Sequence, residues 1–110
     1  MFAVIYRFKL KLHQEALYRE CWNKIVTYFM EQRGAIGACL HKGEDGLWVA
    51  YSRWPDKATR DAAWPGEHAP SEELPRDVRE VIQQMQALKK ENQDLEQYGE
   101  ICLEVVEDRI

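Results

Sequence analysis

The chain lacks most of the features by which a sequence declares its chemistry. Its 110 residues hold no apolar run near the roughly 20 that a membrane-spanning helix needs. Basic residues are in deficit, 15 Lys and Arg against 19 Asp and Glu, for a formal net charge of −4. Nucleic-acid binders concentrate positive charge on one face, so a phosphate-backbone partner is not expected. Glycine-rich phosphate loops, nucleophile elbows and Ser/His/Asp orderings are missing, which leaves nucleotide and flavin cofactors without a motif. His13, His41 and His68 fall on a helix start, a strand end and a loop. None has a second ligand at the spacing of H-E-x-x-H, and no metal is expected.

Cysteine is equally sparse. Cys21, Cys39 and Cys102 are odd in number, far apart and never spaced as Cys-x-x-Cys. That pattern suits reduced thiols of a cytoplasmic protein, used as small apolar side chains. Cys39 alone has a potential cation close by in sequence, His41, two residues along the same strand face. The packing role is the expected one for that pair. The opening Met-Phe-Ala-Val-Ile-Tyr has no basic start and no small-residue cleavage site, so it reads as a first strand and not as a signal peptide.

What is present is enough to build one core. Apolar residues make up 45% of the chain, and 110 residues form a single domain spanning 1–110. Phe2 to Lys9 alternates Phe2, Val4, Tyr6 and Phe8 with Ala3, Ile5 and Arg7, the pattern of a strand. A helix follows from about Gln14 to Arg33, with Leu17, Cys21, Ile25, Tyr28 and Phe29 as its apolar stripe and Gly34 past its end. A second strand, Ala35 to His41, and a third, Leu47 to Trp54, flank Asp45-Gly46. That dipeptide favours left-handed backbone angles, so the two strands should form an antiparallel hairpin. Asp56 caps a short helix that Trp64-Pro65-Gly66 ends. A polar loop from Glu67 to Pro75 leads to a long helix from about Arg76 to Gln93 or slightly beyond, and Glu100 to Arg109 reads as a fourth strand. The order β-α-β-β-α-β, with a small extra helix, defines an α+β ferredoxin-like fold with a four-stranded antiparallel sheet.

Two patterns extend that reading. In the long helix Leu74, Val78, Val81, Met85, Leu88, Asn92 and Leu95 recur at steps of four and three. Three heptads are short for a coiled coil, so the helix is expected to lie on the sheet, with Ile82 widening its apolar face. The third strand is apolar on both faces: Trp48, Ala50, Ser52 and Trp54 on one, Leu47, Val49, Tyr51 and Arg53 on the other. Two helices cover one face of a four-stranded sheet, and a second copy is the economical cover for the other. A homodimer with the two sheets facing each other, a dimeric α+β barrel, is the expectation.

Four tryptophans, Trp22, Trp48, Trp54 and Trp64, are many for this length and serve chiefly as core. Trp54 differs, because it shares a face with Ala50 at the junction of strand and short helix. A large aromatic beside a small residue there leaves room for a pocket.

The stretch from Glu44-Asp45-Gly46 through Trp54-Pro55, in this order of elements, resembles the antibiotic-biosynthesis-monooxygenase-like family. The resemblance runs from Phe2 to about Val106. It implies a small homodimeric protein that oxygenates an aromatic or quinone-like molecule without metal or flavin, the substrate activating oxygen once oriented and desolvated. It also admits a non-catalytic small-ligand or stress-response dimer of the same fold. In the family's cofactor-free hydroxylases an Asn stands four residues before the strand-three Trp; here Trp54 is kept and the Asn position is Ala50. Their helical Arg matches Arg79 of Val78-Arg79-Glu80-Val81. The haem-degrading branch has an Asn on strand one and a His about ten residues past the second-helix Trp. This chain has Tyr6 or Arg7 on that strand and Leu74 ten residues past Trp64, with His68 too close, so haem is not expected. The substrate-binding candidates are Trp54 for stacking and Arg79 for an anionic oxygen, with Ala50 as floor and Ser52 and Tyr6 beside them.

Overall fold

Alternating β-branched and aromatic residues extend as β1, Phe2–Lys9, in a computed structural model that describes residues 1–63, 74–90 and 99–109, with backbone alone at 89 and 90. A 3-10 turn at Leu12–Gln14 leads into α1, Glu15–Gln32. The Gln14 side chain folds back to accept the Lys11 amide at 2.9 Å and is itself buried. Gly34, at φ +83°, turns the chain out of α1, and the Ala35 amide reaches back to the Phe29 carbonyl at 3.1 Å. Because that amide still serves the helix, β2 starts two residues later than the sequence suggests and spans Gly37–Lys42.

The hairpin to β3, Leu47–Trp54, closes as expected, but with different turn chemistry. Gly46 alone takes positive φ, and Asp45 does not. The Gly46 amide donates to the Gly43 carbonyl at 3.1 Å and the Gly43 amide to the Leu47 carbonyl at 2.7 Å. This is a three-residue loop with glycine at its left-handed position, so Asp45 is free to accept the Leu47 amide at 3.0 Å. Asp56 then caps α2, Lys57–Ala63, by accepting the Thr59 amide at 2.7 Å. The residues expected to end α2, 64–66, and most of the following loop lie outside the described residues. The long helix α3, Arg76–Lys90, is followed from residue 101 by β4, Ile101–Glu104.

β4 is much shorter than the Glu100 to Arg109 strand expected. Its partner sets the limit: Ile101 pairs with Ile5 and Glu104 with Phe2, and only the Val105 amide continues, to the Met1 carbonyl at 2.9 Å. The pairing stops there because β1 itself begins at Phe2.

The sheet order is β2-β3-β1-β4 with every neighbour antiparallel, which is the β-α-β-β-α-β arrangement expected. Among the described residues all helices lie on one face. There Phe2, Val4 and Trp54 meet Ile25 and Phe29 of α1 and Val78 and Ile82 of α3 in one core cluster. A second cluster joins Phe8, Trp48 and Ala50 to Tyr18 and Leu88. α3 therefore packs on the sheet and on α1; the Asn92 and Leu95 steps of its pattern fall outside the described residues. One stripe position differs from expectation. Tyr18 is buried, its ring tilted 44° against that of Phe8 with centroids 4.7 Å apart, and the 100° step between successive residues carries Leu17 to the rim, 37% exposed.

The other sheet face carries no helix among the described residues. Ile5, Leu47, Val49 and Tyr51 are half-buried there, and Leu103 is 41% exposed. No helix among the described residues is long and apolar enough to cross a membrane.

The two left-handed glycines allow a controlled comparison. Each loses about 1–2 kcal/mol on substitution by Ala from backbone strain. At Gly34 a Cβ would also stand 3.2 Å from Thr59 Cγ2, whereas at Gly46 nothing lies within 4 Å. Urea unfolding should therefore show a larger loss for Gly34→Ala than for Gly46→Ala; equal losses would mean that Thr59 yields freely.

Candidate functional site

Register explains the cavity under the sheet. Tyr6 of β1 pairs with Ala50 of β3, which pairs in turn with Leu40 of β2; one step along, Ser52 pairs with Ala38. Three small side chains, Ala38, Ala50 and Ser52, thus lie together on the inner face between the large rings of Trp48 and Trp54. Among the described residues no large side chain fills the gap, and a cavity of about 110 Å³ remains. Trp22, Ile25 and Phe29 of α1 and Met85 of α3 roof it, while Tyr6 and Trp54 form walls.

Of the five side chains that the sequence singles out, four line this cavity: Tyr6, Ala50, Ser52 and Trp54. Trp54 is buried, its ring set edge-on to Phe29 at 6.0 Å between centroids. Its indole N–H donates to Ser52 Oγ at 3.3 Å, so the polar ends of these two residues satisfy each other.

Arg79 is the exception. It is half-buried on α3 but does not line the cavity, and its Nε has no hydrogen-bond partner among the described residues. The convergence of Arg79 and Trp54 expected from the sequence is not found. One residue round the helix from Val78, which is buried against the sheet, Arg79 is turned off the inter-layer axis.

A different arginine is joined to the site. Arg60 of α2 is 7% exposed, and its Nη2 donates to the Tyr6 hydroxyl at 3.1 Å and to Glu100 Oε2 at 2.5 Å. Burial disfavours its charge, but the bonds to Glu100 and Tyr6 outweigh that and hold its pKa above the ordinary value. Burial likewise raises the Tyr6 pKa, with Arg60 opposing the rise. The signal for Arg60 was in the sequence: it lies three residues before Ala63, on the face that α2 buries. A charged residue on the buried face of a seven-residue helix calls for a buried partner, and pattern alone did not name one.

The Cys39 and His41 pair forms no such cluster. Cys39 is exposed, and the His41 Nδ1 lies 3.1 Å from the Val49 carbonyl. Cys21 is buried with its thiol 3.4 Å from Gln84 Oε1, and burial raises its pKa.

No protein-family model matches the chain, and no curated protein matches it. Its similarity is to solved structures, and the neighbours include antibiotic biosynthesis monooxygenases, two of them putative, and a protein of unknown function. Rv0793 from Mycobacterium tuberculosis superposes with a TM-score of 0.67 at 17% identity, over 97% of this chain and 96% of that one. SnoaB, a cofactor-independent oxygenase from Streptomyces nogalater, gives 0.69 at 13% identity over 97% and 94%. A putative antibiotic biosynthesis monooxygenase from Deinococcus radiodurans gives 0.67 at 12% identity over 100% and 97%. Likeness at such identity establishes a shared fold.

Two cavity tyrosines tie stability to alkaline pH. Burial raises the pKa of Tyr18 strongly and that of Tyr6 less, from an ordinary value near 10.0. Their folded pKa values lie above the unfolded ones, so the stability they contribute is complete below about pH 10. It is lost as pH climbs from there towards the folded values, because the unfolded chain ionises first. Urea unfolding between pH 9 and 11 should show a falling limb that Tyr18→Phe flattens; an unchanged limb would remove Tyr18 as its source.

Proposed function

We propose that the chain is a homodimeric protein that binds a single-ring aromatic or quinone-like molecule between its sheet and helices. It oxygenates that molecule without a metal, flavin or haem. The observation that carries the binding reading is the convergence of Trp54, Tyr6, Ser52 and Ala50 on one cavity. Its size selects the ligand. An engineered cavity of about 150 Å³ takes up benzene, so a space of about 110 Å³ suits one small ring. The walls are mostly apolar with hydroxyls at Tyr6 and Ser52, the composition of a small-molecule site.

Support for oxygenation is the shared fold, since SnoaB is a cofactor-independent oxygenase. In a site of this kind the protein's part is to hold the ring, exclude water and meet the oxygen substituent with a polar group. A second reading is favoured by two details. Ala50 puts no polar group on the cavity floor, and Arg79 of α3 puts none in its wall. A dimer that binds the same ligand without reacting fits both.

The dimer itself rests on the bare sheet face. Ile5, Val49, Tyr51 and Leu103 form an apolar surface that this chain's described helices leave uncovered, and a second copy placed face to face closes an α+β barrel.

Titration with a single-ring hydroquinone, followed by tryptophan fluorescence, should show saturable binding. Trp54→Ala should weaken it about tenfold, equivalent to roughly 1.4 kcal/mol, while sedimentation still shows a dimer. Unchanged affinity would remove Trp54 from the site, and a folded monomer would remove the barrel. Oxygen uptake on adding the hydroquinone supports the oxygenase, and binding without uptake supports the non-catalytic dimer.

A further inference from the structure

Arg60 stands behind the cavity wall and is coupled to it through one hydroxyl. Its guanidinium donates to the Tyr6 oxygen at 3.1 Å, and Tyr6 lines the cavity beside Ala50. A guanidinium bound to a phenol oxygen fixes that hydroxyl in place and withdraws electron density from it, which makes its proton the stronger donor. The arrangement also sets a positive charge behind the polar part of an otherwise apolar space.

The charges around Arg60 decide whether that field survives. Glu100 Oε2 lies 2.5 Å from Nη2 and Asp61 Oδ1 lies 3.4 Å from Nη1. Further out, Lys57 Nζ is 2.7 Å from Asp61 Oδ2, and the Cys102 thiol is 3.6 Å from Glu100 Oε1. The Glu100 and Asp61 side chains are 39% and 45% exposed, against 9% for Arg60. Water therefore screens the carboxylates on their outer sides, whereas the guanidinium faces an environment of low dielectric. At the Tyr6 hydroxyl the influence of Arg60 outweighs the opposing one of Glu100.

We propose that Arg60 is a positioning residue that acts through the Tyr6 hydroxyl to make the cavity favour the ionised oxygen of a single-ring phenol or hydroquinone. The proposal rests on the ligand-binding reading above and adds the ionisation state of the ligand. It assigns to α2 the cation that the family resemblance placed on α3. An ionised phenol or hydroquinone is the electron-rich form that reacts with oxygen, so the preference bears on chemistry as well as on affinity.

The probe for a test is 4-nitrophenol, whose phenolate absorbs visible light and reports its own ionisation. With the dimer in excess, the ionisation midpoint of the bound probe should lie about one pH unit below that of free probe, a tenfold preference for the anion. Tyr6→Phe and Arg60→Met should each remove most of that shift. The double variant should be no worse than either single one, and Arg60→Lys should restore part of the shift. Tyr6→Phe leaves the Arg60 and Glu100 pair intact, so it decides the matter even where Arg60→Met fails to fold. Trp54→Ala should weaken both forms of the probe alike. If the probe binds but its midpoint is unmoved by Tyr6→Phe, the role of Arg60 is overturned and the cavity reading stands. If 4-nitrophenol does not bind, both are overturned.

Discussion

The pairing of β1 with β3 is the constraint on which the rest of the structure depends. It runs without a bulge from Phe2 opposite Trp54 to Lys9 opposite Leu47, through the centre of the sheet. Because side chains alternate strictly, this single register decides which residues meet beneath the helices. It sets Phe2 beside Trp54, Phe8 beside Trp48 and Tyr6 beside Ala50. A shift of one residue would send either Tyr6 or the two tryptophans of β3 to the bare face. Cavity, core and the link to Arg60 would all be lost together.

Much of this was legible in the chain, and the reasons are specific. Strand periodicity in Phe2 to Lys9 and Leu47 to Trp54, with a turn-forming glycine between β2 and β3, was enough for the fold. It was also enough for the common face of Ala50, Ser52 and Trp54, because strand alternation is a local property. The errors came where a neighbour decides. β4 is cut short by the start of β1, which no feature of residues 105–109 announces. The choice of Tyr18 over Leu17 is made by Phe8, across the layer. Arg79 and Arg60 differ in the same way, since a helix residue's reach depends on how its axis sits on the sheet. Periodicity places a residue on a stripe but does not say what lies across from it.

The cavity is best understood as a local failure to fill space that the surrounding core enforces. Protein interiors normally close such gaps, because lost contacts cost stability. Here Ala38, Ala50 and Ser52 withhold volume, while Trp54, held by Phe29 and Ser52, cannot swing across to replace it. The walls are therefore pre-formed, and a ring that enters does not first have to order them. That is a reason to read the space as a site and not as a packing fault.

The far end of the sheet has a consequence of another kind. The Val105 amide bonds to the Met1 carbonyl, and Arg53 of β3 contacts both the Met1 sulfur and the Asp108 carboxylate. Met1, Val105 and Asp108 therefore share one corner. A linker of a few residues could join that corner, and new ends could be opened at the exposed hairpin loop between Gly43 and Leu47 without cutting the central pair of strands. Such a rearranged chain would keep every strand pairing described here while reversing the order in which the outer strands are made.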